Sequence, residues 1–476
     1  MASYNDNHTP VKEKEMSFSG SGPFIDKLES GEIGEVMDVS DLEKRKAEGA
    51  DDRFNRLGWK RLTVVLLVEA VALGSLSIPS AFAALGLVAG IIICVFIGIV
   101  AIYTSYVIGQ VKLAYPDVSH YADAGRLLMG KFGYELVGAM FVLELVAMVG
   151  SHSLTGAIAF GNLTNQGTCS IVFSVVSAGI LLLLAIPPSF SEVAILGYID
   201  FASIVLAIGV TVIGTGITWA KIDPATTIVS TWSYWPKEDL SFVEAFIALG
   251  NIVFAYCFAI CQFSFMDEMH TPKDYVKSIW VLGLIEIIIY TVTGAIVFVF
   301  VGTDVQSPAL LSAGPVLSRV AFGLALPVIF ISGSINITVV GRYVHGRIYK
   351  DSPNRFINTK QGWISWLTMI SVITLIAWII AESVPFFSDL ISIISCLFVS
   401  GFTFYLPAWM WFKLVKKGSW LSTKNLFLTF VNGSIFAIGI LILVAGTYSS
   451  IQDIFHQYDI GNVGKAFSCA GPRSAH

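Results

Sequence analysis

The sequence predicts an all-α polytopic membrane protein. Of its 476 residues, 55% are hydrophobic and only 13% are charged, and the mean hydropathy is +0.74. Soluble domains carry about 25% charged residues, so this composition excludes an ordinary soluble enzyme. The net charge of −5 argues against a nucleic-acid-binding chain. The apolar residues lie in long blocks, whereas a transmembrane β-barrel alternates apolar and polar residues in segments of roughly ten.

Eleven apolar blocks are long enough to cross a bilayer as helices, which rise about 1.5 Å per residue. They cover approximately residues 62–84, 88–111, 136–160, 170–187, 194–218, 242–265, 279–302, 317–341, 363–381, 386–411 and 425–448. We therefore predict eleven transmembrane helices in one domain over residues 53–450.

Two polar segments flank this domain. Residues 1–52 are rich in Ser, Gly, Glu and Lys, and acidic residues outnumber basic ones. Such a segment cannot bury a core, so we expect a disordered acidic cytoplasmic tail. The first apolar block is too long for a secretory signal. Residues 451–476 form a short C-terminal tail.

The distribution of Lys and Arg predicts the orientation. If residues 1–52 are cytoplasmic, the loops on that side hold most of the basic residues of the domain, as the positive-inside rule requires. The opposite side holds only Lys221, Lys237, Arg319, Lys465 and Arg473. An odd number of spans then places the C-terminal tail outside the cytoplasm.

This orientation predicts roles for three residues on the extracytoplasmic side. Asn162 begins the sequence Asn-Leu-Thr on the extracytoplasmic side, which makes it a candidate glycosylation site. Cys169 and Cys469 would share that side, so they could form a disulfide, although no sequence argument fixes the distance between them.

Spans 1–5 and 6–10 enter the membrane from opposite sides. They would form inverted repeats over approximately residues 60–218 and 241–412, with the eleventh helix at 425–448 outside both repeats. Inverted repeats are common in transporters, whose binding sites lie near the membrane midplane at discontinuous helices.

The first span carries the clearest sign of a discontinuous helix. Pro79 lacks an N–H group and clashes with the carbonyl of Ser75, and Gly74 and Ser77 lie nearby. We predict a break at 72–77, with an ordinary proline kink as the alternative. Freed N–H groups could hold a carboxylate, and freed carbonyls could hold a cation or an ammonium group.

The sixth span has no proline, so a break is not forced there. Asn251, Tyr256 and Gln262 are nevertheless polar residues in an apolar block. Phe254 and Phe258 are four residues apart and share a helix face. These aromatic residues could serve packing or line a pocket.

Three motifs resemble the amino acid/auxin permease family. Asn-Ile-Val-Phe-Ala-Tyr at 251–256, followed by Asp-Glu-Met-His-Thr-Pro at 267–272, resembles the sixth helix of that family. Residues 72–82 resemble its first-helix signature Gly-x-Gly-x-Leu-x-x-Pro-x-Ala-Phe, with Ala72 in place of the first glycine, and residues 121–125 also fit. The resemblance is closest to fungal neutral amino acid permeases and covers roughly residues 55–450.

The resemblance implies a LeuT-like 5+5 inverted repeat plus one extra helix. It also implies a secondary active symporter that imports neutral aliphatic and aromatic amino acids by alternating access with a coupled cation, in fungi usually a proton; sodium is not excluded. By the same resemblance, the substrate would bind at Ala72, Leu73, Gly74, Ser75, Leu76, Phe254, Ala255, Tyr256 and Cys257, with Phe258 as a candidate pocket wall.

Buried acids are candidates for the coupling site, because a charge at the bilayer centre costs about 2.5–3.5 kcal/mol on insertion scales. Glu69 lies three residues before the predicted break, and a structural hydrogen bond is the alternative to a coupling role. Asp200 in the fifth span is the second candidate. The fold analogy places a cation site between helices 1 and 8, where Ser332 and Ser334 could supply oxygens. We interpret Glu144 and Glu286 as structural partners.

Other functional classes receive less support. Neither a His-Glu-x-x-His nor a Gly-x-Ser-x-Gly motif occurs, and the cysteines lack metal-ligand spacing, so we expect no enzyme, no metal site and no cofactor beyond the coupling ion. The expected partners are the amino acid and the lipid bilayer, with no nucleic acid; the oligomeric state stays open. A nutrient receptor with the same pocket is one alternative. A vacuolar exporter or exchanger is another, and the vacuolar membrane is the alternative to the plasma membrane.

Overall fold

The computed structural model describes residues 58–188, 193–221, 231–267, 269–350, 352, 357, 359–461, 467 and 469. The predicted acidic tail at 1–52 lies outside these residues, as does the side chain of Glu69.

The elements of the described part are helices, which we number in chain order. They are α1 (Trp59–Val71), α2 (Gly74–Leu85), α3 (Leu87–Ala114), α4 (Tyr121–Leu163), α5 (Ser170–Leu184), α6 (Val193–Ala220), α7 (Phe242–Ala255), α8 (Gln262–Asp267), α9 (Tyr275–Val301), α10 (Leu317–Ile348), α11 (Lys360–Ser383), α12 (Phe387–Val415) and α13 (Leu426–Asp459). Helices α12 and α13 contain π-helical turns, at Ser395–Tyr405, Trp411–Val415 and Ile442–Gly446.

Each predicted apolar block coincides with one helix or with a pair of helices. In the described part of the chain, 8 helices are long and apolar enough to cross a membrane, and α2, α5 and α7 are apolar but shorter. The first block is divided into α1 and α2, and the sixth into α7 and α8. The polytopic all-α class is thus confirmed, whereas the exact number of eleven spans stays a prediction.

The two halves of the chain pack against each other. Helices α4 and α5 of the first half pack against α10 and α11 of the second half and form one group. Helix α9 lies against α1, α2, α3 and α6, and α2 lies against α7. The divided helix of each half therefore meets its counterpart inside the bundle.

A disulfide joins Cys169, which precedes α5, to Cys469 in the C-terminal tail. The ring of Phe467 in the same tail packs against Trp378 of α11, and the hydroxyl of Tyr458 donates to the carbonyl of Ser383. The α4–α5 loop and the C-terminal tail therefore lie on the same side of the bundle, as an odd number of spans requires. That this side is extracytoplasmic stays a prediction, and disulfides persist in oxidising compartments such as the cell exterior.

This arrangement predicts the accessibility of one thiol. In a Cys169→Ser variant, Cys469 should react with a membrane-impermeant maleimide from the face opposite the N-terminus, which an epitope tag can mark. The wild-type protein should react only after reduction, because its other cysteines, at 94, 257, 261 and 396, are buried. Labelling from the same face as the tag would contradict the predicted orientation.

Candidate functional site

The first helix is interrupted at Ala72 and Leu73, between α1 and α2. Ala72 has a non-helical ψ of −98°. The interruption is shorter than the predicted segment 72–77, because Ser75 and Ser77 remain helical. Their hydroxyls donate to carbonyls of the preceding turn, from Ser75 to Val71 at 2.8 Å and from Ser77 to Gly74 at 3.0 Å. The serines thus stabilise backbone acceptors that a longer break would expose.

The second interruption lies between α7 and α8, where residues 256–261 form turns. The sequence does not force this break, and contacts from other helices stabilise it. The Ser395 hydroxyl of α12 donates to the carbonyl of Gly250 at 2.7 Å, near the end of α7. At the start of α8, the amide of Gln262 donates to the carbonyl of Ser105 in α3 at 2.8 Å.

The two interruptions touch each other at Gly74. A Cβ atom at this position would lie 2.6 Å from the Cα atom of Ala255, the last residue of α7. Real Cβ atoms do not approach a backbone atom so closely, so only glycine permits this contact. The N-terminus of α2 and the C-terminus of α7 are therefore adjacent.

Tyr290 of α9 connects the ends of both divided helices. The single proton of its hydroxyl is shared by the carbonyl of Ala70, at 2.9 Å, and the carbonyl of Ala255, at 3.0 Å. These carbonyls belong to the last turns of α1 and α7, where the carbonyl groups lack N–H donors within their own helices. Tyr290 is not among the residues predicted from the sequence, although a tyrosine inside an apolar span is a signal that could have identified it.

The predicted substrate residues surround these interruptions and are all buried. They are Ala72, Leu73, Gly74, Ser75, Leu76, Phe254, Ala255, Tyr256, Cys257 and Phe258. The site is therefore closed from both faces of the bundle. Phe258 also lines a small apolar cavity that borders the second interruption on the α8 side.

The backbone at this place offers two kinds of polar group. Helix α2 begins without a side-chain cap, so its first N–H groups and the positive end of its dipole face the interruption. Helices α1 and α7 end there with carbonyl groups and negative dipole ends. The arrangement suits a carboxylate on one side and an ammonium group on the other.

Two of the predicted coupling residues lie together. The Ser332 hydroxyl of α10 donates to Oδ2 of Asp200 in α6 at 3.0 Å, and both residues are buried. The Oδ1 atom of Asp200 has no hydrogen-bond partner among the described residues. Ser334 does not join this pair, because its hydroxyl donates to the carbonyl of Ile331 in its own helix. Glu69 lies in the last turn of α1.

The end of α8 is fixed by polar contacts. Lys112 at the end of α3 pairs with Asp267, the last residue of α8, and the Ser264 hydroxyl lies 2.9 Å from Nδ1 of His120. Burial lowers the pKa of His120, so its ring is neutral at pH 7. At the other side of the bundle, Asn162 lies half-buried in the last turn of α4, and its glycosylation stays a prediction.

Residues 55–452 match the family described as transmembrane amino acid transporter protein. The chain belongs to this family. It is 59% identical to the N amino acid transport system protein of Neurospora crassa over 92% of this chain and 94% of the relative. It is 22% identical to amino acid permease 2 of Arabidopsis thaliana, over 78% of this chain and 83% of that protein. These relatives are transporters, and the prediction that this chain is not an enzyme is confirmed.

A solved structure with the same fold agrees with the predicted architecture. The transporter resembles Mhp1, a nucleobase-cation-symport-1 family transporter in a closed conformation with bromovinylhydantoin bound. The TM-score is 0.51 at 12% sequence identity, over 87% of this chain and 95% of Mhp1. The LeuT-like fold class is thereby confirmed.

Proposed function

We propose that this transporter imports neutral amino acids together with a proton, by alternating access around the two helix interruptions. The observation that carries the proposal is that the N-terminus of α2 and the C-termini of α1 and α7 lie next to each other in the buried interior of the bundle. An amino acid carries a carboxylate and an ammonium group on the same carbon atom. The N-terminus of α2 would bind the carboxylate, and the C-terminal carbonyls of α1 and α7 would bind the ammonium group.

The side chains around the interruptions support neutral substrates. Leu73, Leu76, Phe254 and Phe258 are apolar, and none of the ten predicted substrate residues carries a charge. None of these ten residues offers a partner for the charge of a lysine or glutamate substrate, and burial of a charge without a partner costs free energy. Aliphatic and aromatic side chains would instead gain from burial.

Buried acids support a proton as the coupling ion. Asp200 has a single hydroxyl partner. A buried acid with so few donors is more stable as the neutral acid than as the carboxylate. A proton that binds Asp200 or Glu69 from outside and leaves inside would couple its gradient to substrate entry. The proposed plasma membrane location, with a cytoplasmic N-terminus, provides a proton gradient in that direction.

Uptake into proteoliposomes tests the proposed function. Labelled leucine and phenylalanine should accumulate when the exterior is more acidic than the interior, without sodium, and lysine and glutamate should compete weakly. Saturable binding without flux would contradict transport and favour a receptor. Accumulation that requires sodium and not a pH gradient would overturn proton coupling.

Asp200→Asn should reduce accumulation and preserve exchange. The amide mimics the protonated acid, so the variant can cycle but cannot release a proton. With a pH difference of one unit, the loss of one coupled proton corresponds to about 1.4 kcal/mol, or about a tenfold lower accumulation ratio. Counterflow of labelled against unlabelled leucine should change little.

The matched control for this variant is Asp239→Asn, which removes an exposed loop acid. Glu69→Gln, measured in the same way, tests the other candidate. Unchanged proton-driven accumulation in Asp200→Asn would remove Asp200 from the coupling site.

A further inference from the structure

Another buried acid, Glu286 of α9, lies beside the two interruptions. It has no solvent exposure, and neither of its carboxyl oxygens has a hydrogen-bond partner within the described residues. Asp200, in contrast, accepts a hydrogen bond from Ser332. A structural acid is normally retained by its partners, so the sequence-based interpretation of Glu286 as a structural partner does not account for this environment.

The position of Glu286 relates it to Tyr290. The two residues are four positions apart on α9, and their side chains therefore share one face of the helix. Glu286 lies within electrostatic range of Cys94 in α3, Tyr256 at the second interruption and Tyr290 itself. The ring of Tyr256 packs edge-on against that of Tyr290, with 5.2 Å between the centroids.

No described cation faces Glu286 from the helices packed against α9, which are α1, α2, α3 and α6. Helix α2 carries no titratable side chain. Lys112 of α3 pairs with Asp267. On α6, Asp200 accepts a hydrogen bond from Ser332. On α1, Lys60 and Arg61 are exposed at the start of the helix, and the side chain of Glu69 lies outside the described residues.

The hydrogen bonds that the hydroxyls of Tyr290 and Tyr256 can make depend on the protonation state of Glu286. When Glu286 is a neutral acid, the Tyr290 hydroxyl donates to the carbonyls of Ala70 and Ala255. These hydrogen bonds hold the ends of α1 and α7 together. As a carboxylate, it would require hydrogen-bond donors, and the hydroxyls of Tyr290 and Tyr256 are the oxygen donors within range. A hydroxyl that turns to Glu286 no longer donates to the helix ends.

We propose that Glu286 is a second proton-binding residue of the transport site, and that its protonation keeps the two divided helices together through the Tyr290 hydroxyl. The carboxyl group takes up a proton from water while the site is open outward. It loses this proton to water after the site opens inward, and the carboxylate then competes for the Tyr290 hydroxyl. This inference rests on the proposed proton-coupled transport. It adds Glu286 as a proton-binding residue and links its protonation to the contact between the divided helices.

Proton counting in proteoliposomes tests this inference. An internal pH dye and labelled leucine give the number of protons that enter with each substrate, for the wild type and for Glu286→Gln. We expect the variant to carry one proton fewer per substrate, to accumulate about tenfold less at a pH difference of one unit, and to retain exchange. Glu238→Gln, which removes an exposed loop acid, is the matched control and should behave as the wild type.

The outcomes separate this inference from the proposed function. A wild type that moves substrate without protons would overturn proton coupling itself. A wild type that moves protons, together with an unchanged proton count in Glu286→Gln, would overturn only the role of Glu286.

A second measurement does not depend on the folding of the variant. Dicyclohexylcarbodiimide reacts with protonated carboxyl groups in apolar surroundings, and mass spectrometry locates the product. In the wild-type protein, Glu286 should be modified in a pH-dependent manner, and saturating leucine should slow the modification because it favours the closed site. Modification of other acids with none at Glu286, at any pH, would contradict the proposal.

Discussion

Gly74→Ala is expected to reduce amino acid uptake by about 5- to 150-fold while the protein still reaches the membrane. The added methyl group would lie 2.6 Å from the Cα atom and 3.0 Å from the Cβ atom of Ala255. Because the nearest atom belongs to the backbone, α2 and α7 must move apart at the place where the two interruptions meet. Overpacking of this kind costs about 1–3 kcal/mol, which would depopulate the closed site about 5- to 150-fold.

Gly179→Ala in α5 is the control for this experiment, because a Cβ atom at Gly179 has no neighbour within 4 Å. This exchange should preserve uptake, since alanine favours the helix by up to about 1 kcal/mol. Uptake and membrane localisation should be measured side by side for both variants. Wild-type kinetics in Gly74→Ala would show that the close contact between the interruptions is not needed for transport.

Tyr290→Phe should have the second large effect. The ring keeps its packing, but the carbonyls of Ala70 and Ala255 lose their shared donor. Each buried acceptor without a partner costs about 1–3 kcal/mol. We expect a 10- to 100-fold lower kcat/KM for leucine, with a smaller effect on thermal stability because the remaining bundle contacts persist.

The control is Tyr234→Phe, because the side chain of Tyr234 is exposed in the loop before α7. A loss of kcat/KM that follows protein abundance would indicate folding rather than function. Equal kinetics in Tyr290→Phe and in the wild type would contradict the role of this hydroxyl in joining the divided helices.

Hydropathy alone predicted the helical class and placed each block on a helix or a pair of helices. The first interruption was predictable because Gly74 and Pro79 weaken a helix locally. Its length was not, because the hydroxyl of Ser75 binds the carbonyl of Val71 across the interruption and that of Ser77 binds the carbonyl of Gly74 within α2.

The second interruption depends on tertiary contacts that no local pattern contains. The hydroxyl of Ser395, far along the chain, binds the carbonyl of Gly250, and Tyr290 binds that of Ala255. Asp200 and Ser332 were predicted as separate coupling candidates, and their hydrogen bond was not predictable from the sequence, because these residues are 132 positions apart. The unpartnered state of Glu286 likewise depends on which groups the other helices bring close.

The central claim is that a neutral amino acid binds between the two helix interruptions. A high-resolution structure of the transporter with bound leucine tests it most directly. The carboxylate should lie at the N-terminus of α2, near Leu73 and Gly74, and the ammonium group should lie at the carbonyls that end α1 and α7. Leucine bound elsewhere, for example in the cleft beside Lys112 and Asp267, with only helix packing at the interruptions, would contradict the claim.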